Sequence, residues 1–381
     1  MIPNALYIHI PFCIRKCDYC DFFSVTGATP DILERYTCAL IAELRMKAAR
    51  WNHAQFDTIF LGGGTPSLLL PDQVSRILEA VFANYKFVDG GPEISLEANP
   101  ATLQFQQMQE LGTAGINRLS IGGQSFLDTE LRIMGRIHDA KELMKTLEMV
   151  AKTSIHNVNL DLIYGIPGQS IADWQYSLNQ AVKFDIDHLS TYLLQLASNT
   201  PMAHKIEKGN MMLPEDDMQA DMHEQILQTV APYGYQQYEL SNYSKPGYEC
   251  QHNVLYWQSA DYMGIGAGAV SLEGNVRSMN IASVRKYIEA GEQGEEIPNE
   301  VLEEMTNEGR IAEAVVMGLR LCKGIDRNEF LHRFGVDLFE TYEEEIEYCV
   351  HNGLLNQDLN SICLTRAAYF VSNEVFYRFL R

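Results

Sequence analysis

Three cysteines lie close together near the start of the chain, at Cys13, Cys17 and Cys20. Their spacing, C-x3-C-x2-C, supplies three thiolates that can hold three irons of a [4Fe–4S] cluster and leave the fourth iron open. A cluster with four cysteine ligands is usually an electron carrier, whereas an open metal position can bind a small molecule directly. The spacing therefore predicts a cluster that binds S-adenosylmethionine (SAM), the usual occupant of such a site, through its amino and carboxylate groups.

Two other uses of these cysteines stay open. His9 could complete a zinc site, but it lies in a strand-like run and the spacings differ from those of a zinc ribbon. Disulfides are disfavoured, because Pro3, Asn4 and His9 interrupt the N-terminal apolar run and no export signal is predicted. A chain without such a signal stays in a reducing compartment, so we expect a cytoplasmic protein. The remaining cysteines are scattered: Cys38, Cys250, Cys322, Cys349 and Cys363.

Composition limits the classes of partner. The chain has 381 residues, a hydrophobic fraction of 46% and a net charge of −21. This charge argues against general affinity for nucleic acid or for an anionic membrane surface. No run of about 18 apolar residues is present, so the sequence does not predict an integral membrane protein.

Strand-like and helix-like segments alternate through the first half of the chain. Such alternation predicts a parallel sheet with right-handed crossovers, either an open doubly wound sheet or a full or partial barrel. Both architectures place ligands at the carboxyl ends of the strands, where the three cysteines fall. The predicted strands are Leu6–Ile10, Phe56–Leu61, Glu93–Glu97, Asn117–Ile121, Val158–Ile163 and His188–Leu193. The predicted helices are Pro30–Arg45, Pro71–Asn84, Thr102–Leu111, Asp139–Lys152 and Ser170–Phe184.

The second half of the chain has a different pattern. After a mixed region with a helix near Glu215–Val230, the sequence becomes helical again from residue 300. Three helices followed by a strand pair are typical of a winged helix. Residues 296–381 carry 16 Asp and Glu against 8 Lys and Arg, a balance that repels phosphate and argues against DNA binding. The predicted elements are Leu302–Leu319, Arg327–Phe334, Leu338–His351, Ile362–Leu364 and Asn373–Leu380.

Polar residues follow the predicted strands. The loop Gly62–Pro66 has the sequence GGGTP, and consecutive glycines let backbone groups approach a ligand without a Cβ in the way. Glu97, Gln124 and Asp161 lie at or near the ends of later strands, and Arg136 follows shortly after the fourth. A carboxylate is a natural partner for ribose hydroxyls and an arginine for a carboxylate. Together these residues indicate a site for a nucleotide-like ligand at one edge of the sheet.

These motifs resemble the radical-SAM superfamily, and more closely its coproporphyrinogen dehydrogenase-like branch. The similarity runs nearly end to end along the chain. The motifs that carry it are Tyr7–Cys13 (YIHIPFC), Gly62–Pro66 (GGGTP), Leu162–Gln169 (LIYGIPGQ), Tyr238–Tyr243 (YELSNY) and Ser372–Phe376 (SNEVF).

Two subgroups of that branch differ at identifiable positions. The dehydrogenases carry a fourth cysteine two positions after the third and an N-terminal extension, whereas this chain has Phe22 at that position and its first predicted strand begins almost at Met1. The haem-chaperone subgroup, called HemW, lacks that cysteine and carries an H-N-x-x-Y-W signature, which is present here as His252–Trp257. The chain therefore resembles the HemW subgroup. The alternative is an oxygen-independent coproporphyrinogen III oxidase or dehydrogenase, which would use a SAM-derived radical for decarboxylation in porphyrin biosynthesis.

The resemblance implies a partial (β/α)6 TIM-like barrel with a mostly helical, winged-helix-like C-terminal domain. The implied parts are a radical-SAM core over 1–235, a connecting segment over 236–299 and the C-terminal domain over 300–381. It also implies a monomer or homodimer that binds haem and passes it to an acceptor protein. Cluster ligands would be Cys13, Cys17 and Cys20. The residues implied to contact SAM are Tyr7, Tyr19, Gly63, Gly64, Thr65, Glu97, Gln124, Arg136 and Asp161.

The implied haem ligand is His252, since imidazole is the commonest protein ligand of haem iron. A buried, hydrogen-bonded core histidine is an equally weighted alternative, and Cys250 is the second candidate ligand. Two segments depart from the family pattern: Ala197–Thr200 (ASNT) stands in place of E-P-G-T, and Gly268–Ser271 (GAVS) in place of G-A-H-S. Ala197 and Val270 thus replace a glutamate and a histidine, and neither change touches the cluster motif.

Overall fold

The central feature of the fold is a twelve-stranded sheet, seen in a computed structural model that describes residues 3–51 and 54–380. Six core strands lie side by side in chain order, and each pairs in parallel with its neighbour. Helices occupy the crossovers, so the predicted partial (β/α)6 barrel is confirmed. The core strands are β1 (Ala5–Ile10), β2 (Thr58–Gly63), β3 (Glu93–Ala98), β4 (Arg118–Gln124), β5 (Asn157–Tyr164) and β6 (His188–Leu193).

The crossover helices follow from local signals in the sequence. Thr29 precedes the first helix, and its Oγ1 accepts a hydrogen bond from Ile32 N at 3.3 Å, while Pro30 fills the first helical position. Asp139 and Ser170 cap two later helices in the same way. The helices before residue 236 are α1 (Pro30–Trp51), α2 (Pro71–Asn84), α3 (Phe105–Ala114), α4 (Asp128–Ile133), α5 (Ala140–Val150), α6 (Ile171–Ala181), α7 (Pro201–Glu207) and α8 (Asp216–Val230).

Strands from the second half of the chain extend the sheet at both edges. An antiparallel hairpin continues the sheet beyond β6, and four further strands continue it beyond β1. The first of these four pairs in parallel with β1, and the others are antiparallel. The added strands are β7 (Gln236–Glu239), β8 (Asn242–Ser244), β9 (Tyr262–Ile265), β10 (Val270–Glu273), β11 (Val276–Asn280) and β12 (Asn299–Glu304).

Strand β12 corrects one helix prediction. The segment Leu302–Glu304 was predicted to begin a helix that runs to Leu319, but it belongs to the edge strand, and the helix spans only Asn307–Gly318. Pairing with β11 overrides the helical propensity of this glutamate-rich segment, and Glu303 accepts a hydrogen bond from Arg277 at 2.7 Å across the pair.

The C-terminal part has an apolar core of its own, built from residues 314–379. A three-stranded sheet in the order β13-β15-β14 packs with the helices, consisting of β13 (Ile325–Asp326), β14 (Leu355–Gln357) and β15 (Ser361–Leu364). The predicted helix over Leu338–His351 is divided in two at Tyr342. The later helices of the chain are α9 (Gln251–Trp257), α10 (Val284–Gln293), α11 (Asn307–Gly318), α12 (Arg327–Phe334), α13 (Leu338–Thr341), α14 (Glu343–His351) and α15 (Ser372–Phe379).

The two faces of the core strands differ in chemistry. On β1, Leu6, Ile8 and Ile10 are fully buried in the main apolar core, while Tyr7 and His9 face the other side because strand side chains alternate. The inner face of the barrel thus carries polar side chains that can contact a ligand. Within the part of the chain that the structure describes, no helix has both the length and the apolar character that a membrane crossing requires.

Candidate cluster and cofactor site

The cysteine loop lies at the carboxyl end of β1. Residues Phe12–Cys13 form a short strand that pairs in parallel with Val25–Thr26, so the loop leaves the sheet edge and returns to it. Cys20 N donates a hydrogen bond to Cys17 O at 3.2 Å, which closes a turn between the last two cysteines. All three thiols are half-buried, free of disulfides and placed where a parallel sheet binds its ligands.

The three thiols influence one another. Burial raises the pKa of the Cys13 and Cys20 thiols, and the nearby Cys17 sulfur raises both pKa values further. No group of three His, Cys, Asp or Glu side chains within residues 3–51 and 54–380 is arranged to hold a single metal ion. A cubic cluster has a different requirement, because each thiolate binds a separate iron. Three neighbouring, half-buried thiols fit that donor set.

Arg136 connects the cysteine loop to the sheet. Its Nη1 donates a hydrogen bond to Cys17 Sγ at 3.4 Å, and its Nη2 donates one to Gly122 O at 2.5 Å. A guanidinium beside a thiolate stabilises negative charge, and a ligated cluster carries such charge. The Nε of Arg136 is buried and has no hydrogen-bond partner. This remaining donor has no partner in the protein, so a ligand bound beside it could satisfy it.

A tight turn after α4 holds the cysteine loop from the other side. Asp18 N donates a hydrogen bond to Met134 O at 3.0 Å, and Lys205 Nζ forms an ion pair with Asp18 Oδ2 at 2.6 Å. Gly135 has a φ of 73°, and a Cβ there would lie 2.8 Å from Asp18 Oδ1. Only glycine accommodates both constraints, so the turn and the loop fit together closely.

The glycine loop packs directly against the cysteine strand. Gly64 N donates a hydrogen bond to Ile10 O at 2.9 Å, and a Cβ on Gly64 would lie 2.7 Å from Phe12 O. Gly63 has a φ of 110°, which favours glycine. Thr65 Oγ1 donates a hydrogen bond to Cys13 Sγ at 3.6 Å. The predicted proximity of the GGGTP and cysteine loops is therefore present in the structure.

Two carboxyl groups face the inside of the barrel below these loops. Glu97 Oε2 accepts a hydrogen bond from Gly63 N at 3.0 Å, and burial, with a smaller effect of the Asp161 charge, raises the pKa of Glu97 to about 7. Asp161 accepts hydrogen bonds from Asn159 Nδ2 at 2.7 Å and Ser120 Oγ at 3.4 Å, and burial raises its pKa. The pair suits a ligand with a positive charge or with hydroxyl groups.

The remaining residues implied to contact SAM also lie on this face. Gln124 has a φ of 67°, which is rare for a residue with a side chain, and its Oε1 is buried without a partner. Tyr7 OH hydrogen-bonds His9 Nδ1 at 3.0 Å, and Tyr19 packs against a small apolar cluster that includes Met134. The strained Gln124 and its unpartnered oxygen, with the free Nε of Arg136, fit a polar ligand such as SAM.

His252 lies at the other end of β2 from the glycine loop, and its ring centroid is 6.4 Å from that of Tyr7. Its ring is buried at the start of β2, where Nδ1 lies 2.7 Å from Thr58 Oγ1 and Nε2 lies 3.0 Å from Tyr256 OH. Burial, with a smaller effect of Arg118, lowers the pKa of His252 to about 3. Both ring nitrogens have partners, so haem iron could bind only after one of these contacts is released.

Two charged residues near His252 were not identified from the sequence. Glu93 accepts hydrogen bonds from the backbone N–H groups of Gln251 at 3.1 Å and His252 at 3.2 Å, and its Oε1 also accepts from the buried Cys250 thiol at 3.7 Å. Arg118 is only 2% exposed. Each begins a core strand, and a charge at the start of an apolar run is the signal that could have revealed them.

Comparison with known proteins places this geometry in a family. The model of the Radical SAM superfamily matches residues 7–181, and that of the HemN C-terminal domain matches residues 305–371. Among solved structures, coproporphyrinogen III oxidase (HemN) from Escherichia coli, a radical SAM enzyme, superimposes with a TM-score of 0.84 at 22% identity, covering 100% of this chain and 90% of that one. At this identity, the likeness establishes the fold.

Relatives found by sequence identify the family more narrowly than the structural match does. The heme chaperone HemW of Bacillus subtilis is 33% identical over 99% of this chain and 99% of its own length. The heme chaperone HemW of Escherichia coli is 40% identical over 70% of this chain and 69% of its own length. These matches confirm the resemblance on which the site residues were selected. The chain therefore belongs to the radical SAM superfamily and, within it, to the family of proteins named heme chaperone HemW.

Proposed function

We propose that this protein is a haem chaperone that binds a [4Fe–4S] cluster, SAM and haem and passes haem to an acceptor protein. The observation that carries the proposal is the three-thiol loop at the barrel edge, which has no fourth cysteine. Phe22 takes that position and is 64% exposed. Full-length relatives named heme chaperone HemW support the haem part of the proposal.

Cys13, Cys17 and Cys20 hold the cluster in this proposal. When bound, the cluster supplies an open iron for the amino and carboxylate groups of SAM. Arg136 offsets the negative charge beside Cys17 and offers its free Nε to the ligand. Gly63 N keeps the carboxyl group of Glu97 in place, and this group and Asp161 would contact the positively charged, hydroxyl-bearing cofactor. The glycine loop, Thr65, Tyr7, Tyr19 and Gln124 complete the contacts.

For haem iron, His252 remains the first candidate ligand and Cys250 the second. Binding by His252 requires that Thr58 or Tyr256 release the ring, so it includes a local rearrangement of α9. Cys250 is completely buried next to Glu93, and its thiol pKa is raised to about 12 by burial, which disfavours the thiolate that would bind iron. The acceptor is a protein, not nucleic acid, and the protein acts in the cytoplasm as a monomer or homodimer.

A second candidate function is the oxidation of coproporphyrinogen III. The observation in its favour is the full-length structural likeness to HemN, together with the match to the HemN C-terminal domain. Phe22 and the His252–Trp257 motif distinguish the chain from the dehydrogenase pattern. An anaerobic assay of the cluster-loaded protein with SAM, reductant and coproporphyrinogen III separates the two functions. Formation of protoporphyrinogen would establish the enzyme, and we expect none.

The principal experiment is an anaerobic haemin titration of the cluster-reconstituted protein, followed by Soret absorbance. We expect saturation near one haem per chain. His252→Ala should shift the Soret band or abolish saturation, whereas His156→Ala, which changes an exposed histidine, should behave like the wild type. Binding without saturation in every variant would mean adventitious haem and would exclude the chaperone function. Saturation that His252→Ala leaves unchanged would exclude His252 as the ligand.

A further inference from the structure

Arg320 carries a guanidinium group that packs on an aromatic ring. The residue follows α11, and its guanidinium lies over the indole of Trp257, the last residue of α9, with Cζ 4.3 Å from the ring centroid. Within the described residues the guanidinium takes part in no hydrogen bond or ion pair, and its Nε is buried. The indole Nε1 of Trp257 is likewise buried without a partner. Two adjacent donors are therefore unsatisfied.

Glu239 interacts electrostatically with Arg320, but no ion pair joins the two described side chains. Glu239 at the end of β7 is completely buried, and its Oε1 accepts hydrogen bonds from Ser241 N and Asn242 Nδ2. Its Oε2 has no partner, although its charge is close enough to affect the pKa of Arg320. Burial raises the pKa of Glu239, which reduces the repulsion that a second carboxylate would meet there. The two donors without partners, on Arg320 and Trp257, could therefore bind an anion beside the Glu239 carboxyl group.

Tyr192 lies close to Arg320. This residue shares the inner face of β6 with His188 and Ser190, and it is 40% exposed although it lies in the sheet. Its phenol is close enough to interact electrostatically with Asp161 on one side and with Arg320 on the other. The unsatisfied donors thus lie near an exposed aromatic ring on β6.

We propose that Arg320 and Trp257 Nε1 form a binding site for a carboxylate of a flat aromatic ligand, which, given the proposed function, is a propionate of haem. Buried donors without partners cost free energy, and a carboxylate would satisfy both. The guanidinium fork matches a carboxylate in geometry as well as charge. The propionates are the anionic groups on the haem edge, and the exposed Tyr192 ring offers a surface for the apolar porphyrin.

A comparison of haemin with haemin dimethyl ester tests this site, because the ester lacks the carboxylate charge. Wild-type protein should bind haemin about 10- to 100-fold more tightly than the ester in anaerobic Soret titrations, the range expected for a charged hydrogen bond. Arg320→Gln should lose that preference and bind the two ligands with similar affinity. Arg285→Gln, a change at an exposed arginine of α10 that pairs only with Glu289, should keep the wild-type preference.

Trp257→Phe provides a second test that retains the aromatic ring but removes the Nε1 donor. We expect it to reduce the preference for haemin by about three- to tenfold, and melting curves would verify that each variant is folded. A folded Arg320→Gln variant that keeps the wild-type preference would overturn the carboxylate site while leaving haem binding intact. If the wild type does not bind haemin saturably, the proposed function fails, and this site fails with it.

Discussion

The Arg136 guanidinium donates a hydrogen bond to the Cys17 sulfur across 3.4 Å, although the two residues are 119 positions apart in the chain. The same guanidinium is held by Gly122 O on β4. The cysteine loop after the first strand is therefore fixed in part by the fourth. This contact also places a fixed positive charge beside a thiolate that would bind iron.

Removing that charge should weaken the cluster. In Arg136→Gln, the thiolate and the anionic cluster lose a charged hydrogen bond of about 1.5–3 kcal/mol. We expect lower iron and sulfide content after reconstitution and faster loss of iron to a chelator. Arg132→Gln is the matched control, because Arg132 is exposed on α4 and donates only to Asp128 O. Equal stability of the cluster in Arg136→Gln and the control would contradict a role for the guanidinium.

Each cysteine of the loop should be needed for cluster binding, whereas cysteines elsewhere in the chain should not be needed. Cys17→Ser removes one of three thiolates, and we expect the visible absorbance of the reconstituted cluster to be lost or strongly reduced. Cys38→Ser changes an exposed thiol on α1 and should retain full iron content. Iron and sulfide analysis after anaerobic reconstitution measures the cluster content of both variants. A full cluster in the Cys17→Ser variant would show that a different set of ligands is used.

SAM binding should depend on the ionisation of Glu97, whose pKa lies at about 7. The ionised carboxylate attracts the sulfonium, and its population rises from about one-tenth at pH 6 to about nine-tenths at pH 8. We therefore expect SAM affinity to increase up to about tenfold over that range. Glu97→Gln should bind SAM more weakly at pH 8 and lose this part of the pH dependence in calorimetric titrations. An unchanged pH profile in Glu97→Gln would exclude the carboxylate as the titrating group.

Stability should fall at acid pH because of buried His138. Burial, with a smaller effect of Arg136, lowers its pKa from 6.5 to about 4, and its Nε2 lies 3.0 Å from Gly123 O. Between these two pKa values the unfolded chain binds the proton and the folded chain does not, so protons favour unfolding as pH falls. His138 should therefore lower the free energy of unfolding by about 2 kcal/mol between pH 8 and pH 5.

Urea unfolding at several pH values measures this contribution. The stability difference between wild type and His138→Gln should shrink by about 2 kcal/mol from pH 8 to pH 5. His156→Gln, at an exposed position, is the control variant. A His138→Gln difference that does not change with pH would mean that the folded protein binds the proton as readily as the unfolded chain.

The core strands and their crossovers could be predicted because their signals are local. The predicted strand His188–Leu193 and helix Pro71–Asn84 have the observed bounds, and Pro30 correctly marks the start of α1. Apolar runs bounded by caps and glycines need no knowledge of distant partners. By contrast, β12 was predicted as helix because its strand character comes from pairing with β11, which a local pattern does not contain.

The candidate site also has features that the sequence predicts and others that depend on distant contacts. Motif spacing identified the three cysteines, the glycine loop and the sheet-edge residues, and the structure brings them to one edge. A buried, hydrogen-bonded His252 was one of the two alternatives from the sequence, and it is what the structure contains. Its partners Thr58 and Glu93 could not be predicted, because they come from two other strands far away in the chain. Arg320 was also missed. A charged residue between Leu319 and Leu321 was the available signal, but its position over Trp257 depends on how α9 and α11 pack.

Strand β1 can pair with both of its neighbours only late in synthesis. It lies between β2 and β9, and Ala5 is paired with both Thr58 and Tyr262. A ribosome must therefore make most of the chain before one side of the first strand can form its backbone hydrogen bonds, and contacts between such distant residues slow folding. The cysteine loop follows this strand directly, so it is synthesised well before β9 can support the strand. The nascent chain thus passes through a period in which the thiols are accessible and the finished barrel is not yet there to constrain them.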